Sequence, residues 1–593
     1  MLVTAQRAAR SAEPNGAAVS AAHRPVTDPV IRANVQAMHL SRLLLGTVND
    51  EITTRQRRNA WALFTAVIAV FVWLVIRDAW LCDDAFITFR VVDNFHNGFG
   101  LRWNVVDRVQ VFTHPLWCLA LLCVGGVFEN LPLAALWISV VLSITAFVLI
   151  VPKPGRKDLD LVLLALLIPA SKAVVQFATS GLEGPLAFFL LTLLILACGG
   201  LAPEWSRWDR WVPLLAAAVV LTRHDFLLIV APLCIAWVAR KNIRRAAMPI
   251  VAGAAVVAIW ESFSFVYYGG LVPNTALAKL STDLPFFDRV LQGLRYVVDF
   301  LLRDPAGTVG LVTCLLLLIV RRKDLQARAV STGILLYLFY VVIIGGDFMS
   351  GRFFAVPVFL AVAESIRTNG EGTKPLSDSF PGVCATAILL VVFHFFGFNG
   401  FVADNISRNG IADERRVYAP ALSLAAVHNG GPIQRVSWVR AAQELGKTGP
   451  SVMRAIAVGV VGYYGGPNVH VLDVNALGDP LLSRLPARSG SRIGHFERRI
   501  PEGYEDSLQS GSLVLEDPDL KEYCQVVWSV TRGPVWSKSR LSESNGLVTG
   551  RYDPLLNNYL SRSSDWLREP GAPSLPPPDA TIEMLFVPDN TPE

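Results

Sequence analysis

The sequence predicts a polytopic α-helical membrane protein followed by a soluble domain, and three observations support this fold class. Hydrophobic residues make up 52% of the 593 residues and charged residues only 17%, well below the roughly 25% of soluble domains. The mean hydropathy is +0.43, and long apolar runs recur up to about residue 400. Beyond that point the apolar runs shorten and Gly, Pro, Arg and Asp become frequent again.

The first 58 residues are polar, rich in Ala, and lack the apolar core of a secretory signal. We predict a disordered cytoplasmic tail with a short helix near residues 35–45. The net charge of +5 does not indicate a nucleic-acid partner, because Lys and Arg lie between apolar runs and not on one soluble face.

Apolar segments of about 17–25 residues, or somewhat shorter, are candidate membrane helices. We predict about 11 crossings, near residues 61–80, 114–152, 160–178, 183–200, 208–222, 226–240, 246–268, 300–320, 329–346, 352–367 and 381–398. The second segment is too long for one helix. The turn-like stretch at 129–132 divides it either into a re-entrant piece and one crossing or into two crossings.

Four clusters of Lys and Arg orient these helices, at residues 55–58, 153–157, 240–245 and 321–323. Short basic loops face the cytoplasm, and one net crossing of 114–152 places all four clusters on that side. The sequence therefore predicts a multi-pass protein of the plasma (inner) membrane, with its N-terminus inside and its C-terminal domain outside.

Five polar loops broken by Gly or Pro fall on the outer face. They begin at Asp83 and lie further on at residues 179–185, 221–225, 267–275 and 345–352. Because the orientation rests on the basic clusters alone, the shared side of these loops is an independent sign of a site at that surface.

Asp83 and Asp84 follow the first apolar helix directly. Carboxylates beside lipid are costly and usually functional, although one of them could cap a helix or pair with Arg77 or Arg90. A carboxylate here can accept a proton from a hydroxyl or attack a carbon directly. We therefore interpret the two aspartates as catalytic candidates.

Basic residues in the other outer loops are candidates for binding a phosphate. Arg223 and His224 interrupt two apolar segments, Lys279 follows a Pro-Asn-Thr turn, and Arg352 begins a later segment. Arg offers paired hydrogen-bond donors and His a further donor, which suits a phosphate. The alternatives are a simple polar turn, a snorkelling lysine and a salt bridge between Arg352 and Asp347.

Other polar residues are candidates for holding a sugar or an acceptor. They are Arg90, Asn104, Gln110, His114, Glu183, Asp225, Asn274 and Asp347. Capping of the next helix is an alternative role for Glu183. The sequence contains no P-loop, HExxH or CxxC motif, so nucleotide-driven transport and a motif-type metal site lack support.

Residues 401–593 are predicted to form an extracytoplasmic, β-rich (α+β) soluble domain, after a membrane domain over 59–400. Residues 455–461 and 469–474 are predicted strands and 438–445 a predicted helix, with a Pro-rich end at 570–578 and a last strand near 584–587. About 190 residues are enough to bury a core. Cys82 and Cys524, the two cysteines in polar segments, are a candidate disulfide pair.

The motifs resemble the polyprenyl-phosphate-dependent membrane glycosyltransferases of GT-C type. The first loop carries Asp83-Asp84-Ala85-Phe86-Ile87-Thr88-Phe89-Arg90 and then Thr113-His114-Pro115-Leu116-Trp117. The Gly-Leu-Glu-Gly-Pro, Leu-Thr-Arg-His-Asp and Gly-Gly-Asp-Phe-Met turns agree, as do residues 477–486 and 494–498. Within this family the chain looks most like the enzymes that complete actinobacterial cell-wall arabinan with terminal β-(1→2)-arabinofuranose, over about residues 60–560.

This resemblance implies a lipid-linked donor, decaprenyl-phosphoryl-arabinofuranose, and an arabinan acceptor of arabinogalactan or lipoarabinomannan. It implies that Asp83 is the base, with Asp84 orienting it or sharing its role. Arg223, His224, Lys279 and Arg352 would then stabilise the departing phosphate, and the C-terminal domain would be a candidate carbohydrate-binding module.

Three questions stay open in this interpretation. Donor and product of the resembled enzymes are both β, whereas a single displacement inverts the anomeric carbon, so the acidic pair can act as base or as nucleophile. A divalent cation could bridge Asp83 and the donor phosphate. The alternatives in function are a GT-C enzyme for another sugar, such as mannose, or a transporter of a lipid-linked sugar. Transporters favour inverted repeats, and no repeat is evident here.

Overall fold

The structure is a computed structural model that describes residues 54–151, 159–199, 209–240, 243–282, 284–321, 323–369, 401–402 and 404–570. The predicted short helix at 35–45, the apolar segment 381–398 and the predicted last strand at 584–587 lie outside the described residues. The chain divides into two compact units, Met1–Asn59 and Ala60–Glu593, and the second contains all the helices described after Thr54–Arg77.

Helices account for most of the described chain before residue 370. In lipid a helix is favoured because it bonds its backbone polar groups within one segment. The helices are Thr54–Arg77, Asp83–His96, Pro115–Gly125, Leu131–Ile150, Leu159–Leu164, Leu167–Ala170, Lys172–Phe177, Gly184–Gly199, Val212–Thr222, Leu227–Ala239, Ile243–Tyr268, Asn274–Leu280, Phe286–Arg303, Pro305–Val320, Leu325–Ile343 and Arg352–Asn369.

Three helices in the described part of the chain are long and apolar enough to cross a membrane: Leu131–Ile150, Arg244–Tyr268 and Leu325–Ile343. Phe286–Arg303 and Pro305–Val320, bent by 108° at their junction, add a fourth if they are counted as one span. With these apolar helices the chain is a membrane protein. The larger number of about 11 crossings stays a prediction.

The segment 114–152 divides at residues 126–130 into helices of 11 and 20 residues, Pro115–Gly125 and Leu131–Ile150. At about 1.5 Å per residue, only the second is long enough to cross a bilayer. Asn130 fixes the break, because its side chain accepts the N–H of Leu133 at 3.1 Å and caps the second helix.

The segment 160–178 is not the single helix that was predicted. It breaks into Leu159–Leu164, Leu167–Ala170 and Lys172–Phe177. Pro169 lacks a backbone donor, and Ser171 starts the last helix by accepting the N–H of Val174 at 3.3 Å.

The described residues after 400 are mainly helical, so the prediction of a β-rich domain is wrong. One parallel sheet of two strands is present there, in which Ser451–Ala455 pairs with Val469–Asp473. The helices are Glu414–Leu422, Leu424–His428, Ser437–Lys447, Val458–Gly465, Tyr504–Ser510, Pro518–Arg532, Lys538–Val548 and Asp553–Arg568.

The predicted strand at 455–461 is for the most part the helix Val458–Gly465. Its glycines let it approach the helix Asp83–His96 closely. A Cβ on Gly459 would meet the backbone of Asp83, and one on Gly462 would meet the guanidinium of Arg90. Tertiary packing thus overrides the β propensity of a Val-rich stretch. The predicted strand at 469–474 and the predicted helix at 438–445 are confirmed.

Cys82 and Cys524 are both buried free thiols, so the predicted disulfide is wrong. They lie in two different hydrophobic clusters of buried residues.

Ion pairs join the C-terminal residues to the preceding helices. Lys172 Nζ lies 2.7 Å from Asp413 Oδ2, and Arg532 Nε lies 2.7 Å from Asp107 Oδ1. Both carboxylates are buried. Removing Arg532 would weaken the docking of this region, because a buried charge without its partner is strongly destabilising, whereas Asp413 would keep its second ion pair with Arg416 at 3.2 Å.

Candidate active site

A cavity of about 410 Å³ lies between the helices before residue 370 and the C-terminal residues. All five polar loops that the sequence places on one surface contribute to its lining, through residues such as Asp84, Leu182, Arg223, Thr275 and Asp347. Their predicted convergence is therefore confirmed. The C-terminal wall comprises Ile456, Val458, Asn475, Leu477, Ile493, Gly494, His495 and Phe496.

Asp83 caps a helix with both carboxylate oxygens. Oδ1 accepts the N–H of Val460 at 2.8 Å, and Oδ2 accepts that of Gly459 at 3.1 Å. These amides belong to the first turn of Val458–Gly465 and have no partner within that helix. Asp83 is only 8% exposed, and burial raises its pKa to about 7 although the Val460 N–H lowers it. The oxygens of Asp83 are thus engaged in holding the C-terminal residues.

Asp84 has a different environment. Its side chain is 24% exposed and lines the cavity, and none of the described residues donates a hydrogen bond to it. The nearest cation is Arg352, whose guanidinium lies 3.6 Å from Asp84 Oδ2. Burial raises the pKa of Asp84, while Arg352 and Lys279 lower it. Asp83 lines the cavity as well, but Asp84 is the carboxylate of the pair whose oxygens accept no hydrogen bond from the described residues.

Arg352 lies between three carboxylates. Its guanidinium nitrogens are 3.6 Å from Asp84, 3.4 Å from Asp347 and 3.7 Å from Glu183. These separations are long for charge-assisted hydrogen bonds, and the buried Nε of Arg352 has no hydrogen-bond partner in the described chain. The three carboxylates thus hold the Arg352 side chain in place through their charge, and its Nε–H remains available to donate a hydrogen bond to a ligand.

Glu183 lies behind the cavity and is 3% exposed. Its Oε1 accepts a hydrogen bond of 3.2 Å from Arg223, and its Oε2 lies 3.2 Å from Nδ1 of His114. The other ring nitrogen of His114 is 2.8 Å from the hydroxyl of Thr88. Asp225 completes the group by accepting from Nε of Arg223 at 2.9 Å. Glu183 therefore orients residues of the cavity wall and does not line it.

The remaining cations of the cavity differ in their pairing. His224 is engaged with Glu261 at 3.1 Å. Lys279 and Arg289 line the cavity and form no ion pair with the described residues. Arg289 does not belong to the predicted site. The sequence signal that could have found it is a basic residue in the first turn of an amphipathic helix, shortly after the loop of Lys279.

Besides Glu183, four predicted sugar-binding residues are not brought to this cavity. Arg90 donates to the carbonyl of Val469 at 2.6 Å, and Asn104 bonds both the N–H and the carbonyl of Val471 at 3.0 Å. Gln110 and Asn274 line a separate cavity of about 50 Å³. All four are buried. Arg90, Asn104 and Asn274 bond C-terminal backbone, while the amide of Gln110 bonds Phe112 and Ser264.

Replacing Asn104 with alanine is expected to lower stability without changing substrate affinity. The change leaves two buried backbone groups of Val471 unpaired, at about 1–3 kcal/mol each. The melting temperature of the purified protein in detergent reports this loss. Asn468→Ala is the matched control, because Asn468 is exposed and bonds only the carbonyl of Gly446. A raised KM at a temperature where Asn104→Ala is fully folded would instead support sugar binding by Asn104.

Two known proteins are similar to this chain over most of its length. No protein-family model matches the chain. It is 27% identical over 569 residues to a terminal beta-(1->2)-arabinofuranosyltransferase of Mycobacterium tuberculosis, a match that covers 80% of this chain and 89% of that protein. A protein of the same name from Corynebacterium glutamicum is 25% identical over 534 residues, covering 73% and 75%. The chain is a homologue of the terminal arabinofuranosyltransferases.

The chain also aligns with a solved structure, the archaeal oligosaccharyltransferase AglB from Archaeoglobus fulgidus in complex with an inhibitory peptide and a dolichol-phosphate. The TM-score is 0.38 at 13% identity, and the match covers 67% of this chain and 59% of AglB.

Within the described ranges no three His, Cys, Asp or Glu side chains converge as ligands of a metal ion. Asp84 and Asp347 both lie near the guanidinium of Arg352, which offsets part of their negative charge. The divalent cation between Asp83 and the donor phosphate stays a prediction.

Proposed function

We propose that this chain is a membrane glycosyltransferase of GT-C type that adds terminal β-(1→2)-linked arabinofuranose to cell-wall arabinan, from decaprenyl-phosphoryl-arabinofuranose. Its relatives carry the arabinofuranosyltransferase name over most of their length. The observation that carries the proposal is Asp84, which lines one cavity together with Lys279, Arg289 and Arg352. A carboxylate beside several cations suits attack by a hydroxyl on a carbon that bears a phosphate leaving group.

In the direct route, Asp84 accepts the proton of the acceptor hydroxyl as its oxygen bonds to the anomeric carbon. The bond from that carbon to the phosphate oxygen breaks, and polyprenyl phosphate leaves with the electron pair. Lys279, Arg289 and Arg352 stabilise the charge that develops on the phosphate. This route inverts the anomeric configuration.

In the second route, the carboxylate of Asp84 itself attacks the anomeric carbon and forms a glycosyl ester as polyprenyl phosphate leaves. The oxygen of the acceptor hydroxyl then bonds to the anomeric carbon as the bond from that carbon to Asp84 breaks, with net retention, and the hydroxyl proton passes to the released polyprenyl phosphate. Mass spectrometry of the enzyme quenched during turnover distinguishes the two routes. A sugar covalently attached to Asp84 supports the second, whereas an unmodified Asp84 with an inverted product supports the first.

The helix Phe286–Arg303 supports a donor that resides in the membrane. Its apolar side chains Phe287, Leu291, Leu294 and Val298 are exposed on its surface, and it bends sharply away from the helix that follows. An amphipathic helix of this kind suits the membrane interface. Because it also carries Arg289, a lipid lying along it would present its phosphate to the cavity.

The proposal retains the predicted topology and domains. Residues 59–400 form the catalytic membrane domain, and residues 401–593 lie outside the plasma membrane, with the cavity at the outer face. An acceptor polysaccharide then reaches the cavity from the side of the C-terminal residues, and the lipid donor reaches it from the bilayer.

Transfer assays with purified protein test the proposed activity. We expect transfer from polyprenyl-phosphoryl-arabinofuranose to a synthetic arabinofuranose oligosaccharide, and none from the corresponding mannose donor. Transfer from the polyprenyl-phosphoryl-mannose donor, and not from the arabinofuranose donor, would support a GT-C enzyme for another sugar. Movement of the lipid-linked sugar between leaflets of proteoliposomes, without transfer to any acceptor, would support a transporter.

The transfer rate is expected to fall on the acid side at a higher pH than an ordinary aspartate would cause. Burial raises the pKa of Asp84 above 3.8, and Asp84 must be ionised in both routes. Activity is therefore present above that raised pKa and is lost as the pH falls through it. The measurement is kcat/KM against pH. A flat profile down to about pH 4, the ordinary range of a free aspartate, contradicts this role.

A further inference from the structure

The C-terminal wall of the cavity carries two polar groups without partners. Asn475 is 3% exposed, and its Oδ1 has no hydrogen-bond partner in the part of the chain that is described. Nδ1 of His495 is likewise buried and unbonded there. Both residues line the cavity. A buried acceptor without a partner lowers stability, so two of them at one cavity indicate a ligand that supplies the missing partners.

The turn that presents Asn475 is rigidly held. The carboxylate of Asp473 accepts the N–H of Asn475 at 2.9 Å and that of Gly478 at 2.8 Å. Asn274 donates to the carbonyl of Ala476 at 3.0 Å. Ala476 has a φ of 62°, the one positive value of a non-glycine residue in the described chain. Such backbone strain persists only where the surroundings enforce it and is common at binding sites.

His495 is fixed against the loop that precedes Arg352. The rings of Phe348 and His495 meet edge to face with centroids 4.3 Å apart. Gly494 has a φ of 75°, and a Cβ there would lie 2.5 Å from the ring of Phe348. Burial, and then Arg492 and Lys279, keep the pKa of His495 well below its usual value, although a hydrogen bond of the ring to the backbone of Ile493 opposes the shift. The ring is therefore neutral and retains one acceptor nitrogen.

We infer that Asn475 and His495 form a subsite that binds the hydroxyl groups of a furanose ring. The inference rests on the proposed function and names the group that the C-terminal wall recognises. Neutral polar groups set among the aromatic side chains Phe348 and Phe496 fix the orientation of an uncharged ligand. The cations of the cavity, in contrast, suit a phosphate. Both the donor sugar and the last sugar of the acceptor present such hydroxyls.

Kinetics of Asn475→Ala and His495→Ala test the subsite and assign its occupant. Initial rates are measured with a synthetic arabinofuranose oligosaccharide varied at fixed polyprenyl-phosphoryl-arabinofuranose, and then with the donor varied. We expect each variant to raise one KM by about tenfold, the usual effect of losing a hydrogen bond in a buried site. A higher KM for the oligosaccharide shows that the subsite binds a furanose ring of the acceptor. A higher KM for the donor shows that it binds the furanose ring of the donor.

His428→Ala and Asn429→Ala are the matched controls, because these residues are exposed and lie outside the cavity. Asn475→Ser and His495→Gln retain a hydrogen-bonding group, and they replace the alanine variants if those lose their melting transition. Folded variants with both KM values unchanged overturn the inference.

Failure of the inference is distinguishable from failure of the proposed function. Wild-type protein that transfers arabinofuranose while the variants keep their KM values contradicts the inference alone. Wild-type protein that transfers from no donor contradicts the proposed function. In that case the thermal shift caused by the oligosaccharide decides: a shift of wild type but not of Asn475→Ala supports the subsite, and equal shifts, or none, overturn it.

Discussion

Asp84→Asn is expected to reduce kcat by at least about a hundredfold, the usual contribution of a general acid or base, while the protein stays folded. Asn cannot take the proton of a hydroxyl or form a glycosyl ester, so both routes are blocked. Because Asp84 receives no hydrogen bond from the described residues, its replacement leaves the fold intact. The measurement is single-turnover transfer from the lipid-linked donor, with the melting temperature recorded in parallel.

Asp83→Asn provides the contrast to this result. An amide retains one acceptor for the N–H of Val460 or Gly459 but loses the other bond and the charge at the helix N-terminus. We expect a lower melting temperature, by an effect of about 1 kcal/mol, and a smaller loss of kcat than in Asp84→Asn. Asp506→Asn, at an exposed aspartate outside the cavity, is the control. An inactive but stable Asp83→Asn beside an active Asp84→Asn would identify Asp83 as the base.

Arg352→Gln is expected to lower kcat/KM by about a hundredfold or more, the effect of removing a donor that stabilises developing charge. The change removes the buried Nε donor and leaves Asp84, Asp347 and Glu183 without the cation that they share. Repulsion among these acids then disfavours the ionised form of Asp84. The acid limb of the pH profile should therefore move to higher pH as activity falls.

Two further variants make the Arg352 experiment specific. Arg352→Lys keeps the charge without the paired donors of a guanidinium, so we expect partial recovery. Arg454→Gln removes an exposed arginine that pairs with Glu505, and it should behave as wild type. Full activity of Arg352→Gln would show that the phosphate is held by other residues.

Much of this site can be predicted from local sequence. Polar loops between apolar runs identify Asp84, Arg223, Lys279 and Arg352, because charged residues beside membrane helices are rare without a task. Counting the predicted crossings places their loops on one surface, and the structure brings these residues into one cavity. Arg289 escapes this reasoning, since it lies in the first turn of an amphipathic helix and not in one of the five loops.

The C-terminal residues are less predictable. Residues 455–461 form a short, continuous apolar run rich in Val, a pattern that fits a buried strand. Most of them nevertheless belong to a helix, which packs through Gly459 and Gly462. Asn475 and His495 carry no local signal of ligand binding. Their unbonded atoms become visible only once the neighbours of each side chain are known.

The sequence by itself determined that an acidic pair follows an apolar helix and that basic residues stand in other polar loops between apolar runs. Only the tertiary structure decided which of the two aspartates is held by backbone hydrogen bonds. Asp83 is engaged by Gly459 and Val460, residues 376 and 377 positions further along the chain. Neighbouring carboxylates are chemically identical in a sequence. Both line the cavity, and only these distant hydrogen bonds distinguish Asp83, which caps a helix, from Asp84, which does not.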